Sequence, residues 1–257
     1  MMKRLLAIIL SLILSLLLVG CTDQAEPPLS NKIQEDRVKS FYLTEESAEN
    51  LISVQVPVVT TANAQAVNAC IKEQVYNELQ HWLLLEKCNL KESATPIASI
   101  SERIDPSEYS TQFLHISSHL SFESEEFISL VFTGMHNVKS AAHPNEVFFS
   151  INVDVRLAER VGIADIYAVD DSLYTAFLQY VNSERVSNNE LMSLNVFEKD
   201  VFLEGLTQEP EKGFYSYFTP THVGISCPVI YALGNHIEAE IPKQTVDGLR
   251  RPSSKNY

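Results

Sequence analysis

The sequence predicts an α+β fold: an antiparallel β-sheet with a long N-terminal helix and one or two further helices packed on it. Three observations predict this class. Apolar residues recur at spacings of three and four over residues 62–87, which is typical of a helix that faces a core. Several later segments alternate apolar and polar residues, as half-buried strands do. A second helix is expected after Asp170 or Asp171, either of which can cap it.

The first segment, residues 1–20, has the organisation of a signal peptide. Lys3 and Arg4 precede an apolar run of 15 residues, 5–19, interrupted only by serines. A membrane helix needs roughly 20 apolar residues, so we expect a cleaved signal rather than a membrane span. Leu18-Val19-Gly20-Cys21 closes the run and resembles the lipobox of bacterial lipoproteins. The resemblance implies that Cys21 carries acyl chains such as palmitate and is the first mature residue.

This signal predicts an extracytoplasmic protein, anchored by lipid to the cell membrane or the outer membrane. Because only four residues precede the apolar run, we expect no cytoplasmic domain. Residues 21–47 are polar and are interpreted as a tether. An N-terminal strand–helix–strand part is expected at 48–125, a C-terminal part at 126–242 and a polar tail at 243–257.

The elements are predicted from periodicity and turn residues, in chain order. A strand at 51–59 contains Pro57, which indicates a strand end or a sheet edge. The helix at 62–87 is followed by a Ser- and Pro-rich loop at 91–106. The remaining predicted strands lie at 114–122, 127–135, 146–156, 213–219, 222–232 and 236–242. The first two of these form a hairpin across an acidic turn at Glu123–Glu126.

The charge of the chain is strongly acidic. Its formal net charge is −14, and loss of Lys3 and Arg4 with the signal would change this to −16. Binding to nucleic acid through its phosphates needs clustered Lys and Arg, so we expect no nucleic-acid partner for a chain this acidic. An acidic surface steers cationic partners by long-range attraction, although solubility alone also accounts for it.

Three cysteines remain if Cys21 is acylated: Cys70, Cys88 and Cys227. An extracytoplasmic location permits disulfides, and three thiols allow one pair and one free cysteine. The partners stay open at this point. Cys227 lies in an apolar strand pattern, which predicts a buried thiol rather than a nucleophile.

The sequence contains no motif for common enzymatic chemistry. His-Glu-x-x-His, Cys-x-x-Cys, Gly-x-Ser-x-Gly and phosphate-binding glycine loops are all absent. His115 and His119 are expected on one strand about 13 Å apart, too far to share a zinc ion. We therefore expect no catalytic residue, metal or cofactor, and a protein that is not an enzyme.

The order of motifs in the C-terminal part resembles a domain of unknown function. Ala142-His143-Pro144, Asp154 and Asp165-Ile166-Tyr167 follow one another across residues 129–167. They are similar to the extracytoplasmic domain of RsiV-type anti-sigma factors, which also accompanies PdaC-type peptidoglycan deacetylases. The closing motifs of that domain resemble Phe214–Phe218, Tyr231–Gly234 and Glu240-Ile241-Pro242, and the companion domain before it resembles residues 51–87. The chain departs at Ser140-Ala141, where the family has a Gly pair.

The resemblance implies a non-enzymatic binding module, because RsiV-type domains bind lysozyme. Lysozyme is cationic, which agrees in sign with this acidic chain, and peptidoglycan is the other expected partner. The predicted contact residues are His136, His143 and Asn145, in and beside the turn that resembles the family motif, with Glu125 and Glu126 of the acidic turn. A cell-wall hydrolase built on His136, His143 and Asp154 is an alternative, and a structural envelope scaffold is another.

Overall fold

Strands dominate the computed structural model, which describes residues 39–97, 112–139, 141, 143–181, 198–229 and 235–252. The strands are β1 (Lys39–Glu46), β2 (Asn50–Val58), β3 (Lys91–Ser93), β4 (Gln112–Glu123), β5 (Phe127–Val138), β6 (Asn145–Asp154), β7 (Glu159–Arg160), β8 (Tyr215–Phe218), β9 (His222–Pro228) and β10 (His236–Pro242). The helices are α1 (Ala64–Trp82), α2 (Ile163–Ile166), α3 (Asp171–Tyr180), α4 (Lys199–Thr207) and α5 (Lys243–Val246), with 3₁₀ turns at Leu85–Lys87 and Asp247–Leu249.

The predicted fold class is wrong, because the protein is mostly β. A seven-stranded sheet has the order β3-β1-β2-β4-β5-β6-β7, and a three-stranded sheet has the order β10-β9-β8. The large sheet is mixed rather than antiparallel, since β2 runs parallel to β4. Two strands precede α1, and the other helices of the described residues are short. Periodicity identifies single strands, but it carries no information on whether two distant strands run parallel.

Strand β1 lies inside the segment predicted to be a tether. It pairs antiparallel with β2 along its whole length, and β3, in the predicted loop, pairs with its other side. Leu43 is the one residue of β1 that is fully buried. A strand near a sheet edge with so little apolar content has the composition of a linker, which is why the sequence pattern missed it.

Several elements match their predictions. Strands β4 and β5 form the predicted antiparallel hairpin, and β6 pairs with β5. Helix α1 occupies the predicted segment but ends at Trp82, five residues early. Asp170 caps α3 by accepting hydrogen bonds from the backbone N–H groups of Ser172 and Leu173. The predicted polar tail begins with α5 and a 3₁₀ turn rather than with an extended chain.

The described chain buries two apolar cores. Helix α1 contributes Val67, Ile71, Val75 and Leu79 to a core shared with the large sheet. The second core lies between the three-stranded sheet and helices α2 to α4, where Phe177, Phe202 and Phe214 are fully or almost fully buried. Residues 38–257 form a single unit, so the boundary predicted at 125/126 falls in the turn between two paired strands.

Polar side chains join the two sheets along β8, the edge strand of the smaller one. Ser150 Oγ and Asn152 Nδ2 donate to the Ser216 carbonyl oxygen at 2.6 and 2.7 Å. Phe218 N donates to Ser129 Oγ at 2.9 Å. Ser216 N donates to Glu209 Oε1 at 2.7 Å. An unpaired backbone group in the interior costs about as much as a lost hydrogen bond, so these contacts let the edge be buried.

Glu209 is the charged member of this junction. Burial raises the pKa of its carboxyl from 4.5 to about 6, although Arg160 and hydrogen bonds from Ser216 and Ile163 oppose the shift. The residue is partly exposed, but the carboxylate itself faces the backbone of Ser216 and Ile163.

Replacing Glu209 by Gln should remove one component of the pH dependence of stability. The folded state holds the Glu209 proton up to about pH 6, whereas the unfolded chain releases it near 4.5. Stability contributed by this group is therefore present at low pH and is lost as pH rises from 4.5 through 6. Urea unfolding of Glu209→Gln and wild type should show their difference shifting in favour of the variant over that interval. A difference that stays constant with pH across that interval would contradict the assignment.

Candidate functional site

A cavity of about 210 Å³ opens where the end of α1, the start of β6 and the small sheet meet. Its aromatic walls are Trp82, Phe148 and Tyr215. Phe148 and Tyr215 are almost fully buried and touch edge to face, with ring centroids 6.2 Å apart. Trp82, the single tryptophan of the chain, is partly exposed.

Local backbone features position the residues that line the cavity. Trp82 is the last residue of α1, because the next residue, Leu83, adopts an extended backbone. Gly213, with φ of 73°, supplies the left-handed residue that turns the chain into β8. Asn235 has φ of 66°, which asparagine tolerates better than most residues, and its amide donates to the Glu146 carbonyl oxygen at 3.3 Å.

Tyr215 is oriented by a buried ion pair. Its hydroxyl donates to Glu78 Oε2 at 2.7 Å, and Arg160 lies 3.4 Å from the other oxygen of Glu78. Glu78 is almost fully buried, so these partners compensate a carboxylate that would otherwise be costly to bury. Burial and the negative charge of Glu78 raise the pKa of the Tyr215 phenol, which therefore stays protonated.

Two buried polar atoms at the cavity have no hydrogen-bond partner among the described residues. One is Ser226 Oγ, on a residue with no exposed surface. The other is His236 Nδ1, whose ring stacks on Phe148 with a centroid distance of 4.8 Å. His236 Nε2 lies 3.2 Å from Glu238 Oε1. A carboxylate only accepts, so in the neutral ring Nε2 carries the proton and Nδ1 is an acceptor.

The rim of the cavity is acidic. Glu146 and Glu211 line it, and no Lys or Arg is found among its described lining residues. Lys212, the neighbour of Glu211, instead forms an ion pair with Glu204 at 2.7 Å. The cavity thus combines aromatic walls, two carboxylates and two buried acceptor atoms.

The predicted turn residues lie beside this cavity without lining it. His136 is buried behind Trp82, with ring centroids 5.6 Å apart in an edge-to-face arrangement. Burial lowers the pKa of His136, and neither ring nitrogen has a hydrogen-bond partner in the described part of the chain. Asn145 pairs with His136 across β5 and β6 and directly precedes Glu146. His143 is exposed.

Glu125 and Glu126 lie at the opposite end of β5 from His136. Ten residues separate Glu126 from His136, which is about 33 Å at 3.3 Å per residue. Glu125 is exposed, and Glu126 forms an ion pair with Arg156 at 3.1 Å. The structure therefore does not bring the two predicted parts of the contact surface together.

The alternative catalytic cluster does not form. His136 pairs with Asn145 at one end of the β5–β6 ladder, whereas Asp154 pairs with Phe127 at the other. Within the described residues, no group of three His, Cys, Asp or Glu side chains is arranged to hold a metal ion. His115 and His119 lie on strand β4, as predicted.

The three cysteines whose pairing the sequence leaves undecided are free thiols. Cys70 and Cys88 are partly buried, and Cys227 is fully buried as predicted. Cys21 lies outside the described residues, as does the Tyr231–Gly234 motif. Within the described ranges, no helix has both the length and the apolarity needed to cross a bilayer.

Sequence reasoning missed the residues that line the cavity. Trp82 belongs to the apolar helical pattern that predicts a core face, and Phe148 lies in the strand predicted at 146–156. Ser226 and His236 are single polar residues in strand patterns. The lining residues come from five separate parts of the chain. Only the tertiary structure brings them together.

Comparisons with known proteins find structural neighbours of unknown function. No protein-family profile matches this chain, and no curated protein does. A DUF3298 family protein from Bacteroides fragilis is 14% identical, with a TM-score of 0.48, over 83% of this chain and 93% of that one. A DUF3298 family protein from Pseudomonas aeruginosa is 11% identical, with a TM-score of 0.45, over 84% of this chain and 93% of its own. DUF3298 is an uncharacterised domain family.

Replacing Ser226 by Ala should leave the free energy of unfolding unchanged or raise it. The hydroxyl is buried without a partner, so its removal abolishes a desolvation cost and no bond. Ser150→Ala is the matched comparison, because it removes a 2.6 Å hydrogen bond to the buried Ser216 carbonyl. We expect that variant to lose about 1 kcal/mol. Urea unfolding measures both, and equal losses would show that Ser226 has a partner.

Proposed function

We propose that this protein is a lipid-anchored, non-enzymatic binding module of the bacterial cell envelope, whose partner is a cationic hydrolase such as lysozyme, or peptidoglycan. The observation that carries the proposal is the cavity at Trp82, Phe148 and Tyr215, where two buried polar atoms lack partners. Buried polar groups are normally hydrogen-bonded, so unpartnered ones at a cavity favour a ligand that supplies the missing bonds.

The chemistry of the described residues favours binding over catalysis. Ser226 Oγ has no hydrogen-bond partner among the described residues, whereas a nucleophilic serine needs a base within hydrogen-bond reach. Burial raises the pKa values of Cys70, Cys88 and Cys227, which disfavours the reactive thiolate. The residues of the alternative His136, His143 and Asp154 cluster are divided between the two ends of β6.

The cellular part of the proposal rests on sequence motifs. The Leu18–Cys21 segment resembles a lipobox, so Cys21 is the proposed acylation site that holds the mature chain at the cell membrane or outer membrane. The motifs at 129–167 and 214–242 support an extracytoplasmic domain of the RsiV and PdaC type. The acidic charge favours a cationic partner, because it would speed their association.

Calorimetry with hen lysozyme tests the partner. The mature protein, purified in detergent, should bind with an affinity that survives an increase from about 50 mM to about 300 mM salt, because a shaped interface is screened less than exposed charges. The same protein should slow lysis of cell walls by lysozyme. Binding that vanishes at the higher salt would show charge attraction alone. Titration with soluble peptidoglycan fragments then tests the other proposed partner.

Replacing Cys21 by Ser should abolish lipid attachment. We expect cells expressing the variant to incorporate no labelled palmitate into this protein, because serine lacks the thiol that is acylated. The variant should also leave the membrane fraction when cells are washed with salt. Cys88→Ser is the matched control and should keep the label. Label that persists in the Cys21→Ser protein would place the lipid on another residue.

A further inference from the structure

We infer that the cavity at Trp82 binds the ammonium or guanidinium group of a single Lys or Arg side chain presented by a cationic protein. The inference deepens the proposed function and rests on it, because it names the chemical group that the binding module takes.

The walls offer three aromatic rings. A cation over the face of Trp, Tyr or Phe is attracted by the ring quadrupole, and Trp attracts it best. The Tyr215 hydroxyl already donates its proton to Glu78, so that proton is not available to a ligand. Phe148 is held in place by His236, which stacks on it. These contacts fix the two buried rings before any ligand arrives.

The carboxylates and the buried polar atoms of the lining can all accept hydrogen bonds from a ligand. Glu146 and Glu211 accept only, His236 Nδ1 accepts when its ring is neutral, and Ser226 Oγ can accept as well as donate. Neither Ser226 Oγ nor His236 Nδ1 has a partner among the described residues. The amide of Asn235, a donor in the lining, is already bonded to Glu146 O. An ammonium or guanidinium group has N–H donors and no acceptor, whereas a sugar hydroxyl both donates and accepts.

The electrostatics and the size of the cavity agree with this class of ligand. The described lining residues include two carboxylates, two histidines and no Lys or Arg, so the fixed charges are negative and disfavour an anion. The volume of about 210 Å³ is below the range of about 300–1,000 Å³ that is typical of small-molecule sites. It therefore suits one long side chain better than an oligosaccharide. The net charge of −14 would bring a cationic protein to the rim.

Trp82 provides a direct readout, because it is the single tryptophan of the chain and lines the cavity. The mature protein in detergent is titrated at pH 8 with a lysine-rich peptide, while the Trp82 fluorescence is followed. The same peptide with acetylated lysines is the ligand control, since acetylation removes the charge. A neutral N-acetylglucosamine oligomer tests the glycan alternative. We expect a saturable change with the first peptide only.

Two double variants separate the cavity from general charge. Glu146→Gln with Glu211→Gln removes both rim carboxylates and should weaken peptide binding about tenfold or more. Glu123→Gln with Glu125→Gln makes the same change in net charge with exposed residues at the far end of β5, and should keep the affinity within about twofold. Both pairs change exposed side chains, and their unfolding curves should match that of the wild type.

The outcomes distinguish this inference from the proposed function. Equal weakening by the two double variants would overturn the inference, because general charge would then explain the binding. A fluorescence response to the glycan and not to the lysine peptide would also overturn it. Lysozyme binding that is unaffected by the cavity variants would keep the proposed function and exclude the cavity from the contact. A response to lysine peptide that the cavity pair abolishes, without any lysozyme binding, would support the site and reject that partner.

Discussion

The outer edge of β8 is the constraint on which the arrangement of the two sheets depends. A strand edge carries backbone donors and acceptors that must be satisfied before it can be buried. In this protein the neighbouring sheet satisfies them with side chains of Ser129, Ser150 and Asn152, and the loop before β8 adds Glu209. Each side chain reaches one backbone atom of β8, so the register of β8 against β6 is set by polar contacts as well as by apolar packing.

The same junction determines the position of the cavity. Tyr215 lies on β8 next to Ser216, and its phenol reaches Glu78 on α1, so the helix is tied to the small sheet through one hydrogen bond. Arg160 on β7 completes the ion pair with Glu78. Buried charges are costly unless they are paired, and removing one partner leaves the other uncompensated. The end of α1, and with it Trp82, is thus held by a network that also anchors the wall of the cavity.

Sequence periodicity identified the elements whose burial pattern is strong. The alternation in β6 and the spacing of Val67, Ile71 and Val75 in α1 are imposed by one buried face, and both elements are where the pattern predicted them. Strand β1 was not predicted, because a single fully buried leucine produces no periodic pattern. The parallel pairing of β2 with β4 was not predicted, because it joins chain segments about 60 residues apart. The cavity was not predicted for a related reason. Its lining residues are distant in sequence, and each aromatic one resembles a residue of the hydrophobic core.

The place of β1 has a mechanical consequence. A force applied to Lys39 from the N-terminal side would act first on this strand, which is the first strand of the described residues. It is held by its full-length ladder with β2 on one side and by only three residues of β3 on the other. The force therefore acts first on the β1–β2 hairpin. The residues that line the cavity lie on or next to α1, β6, β8, β9 and β10. Such a force would separate β1 from β2 before it deformed the cavity.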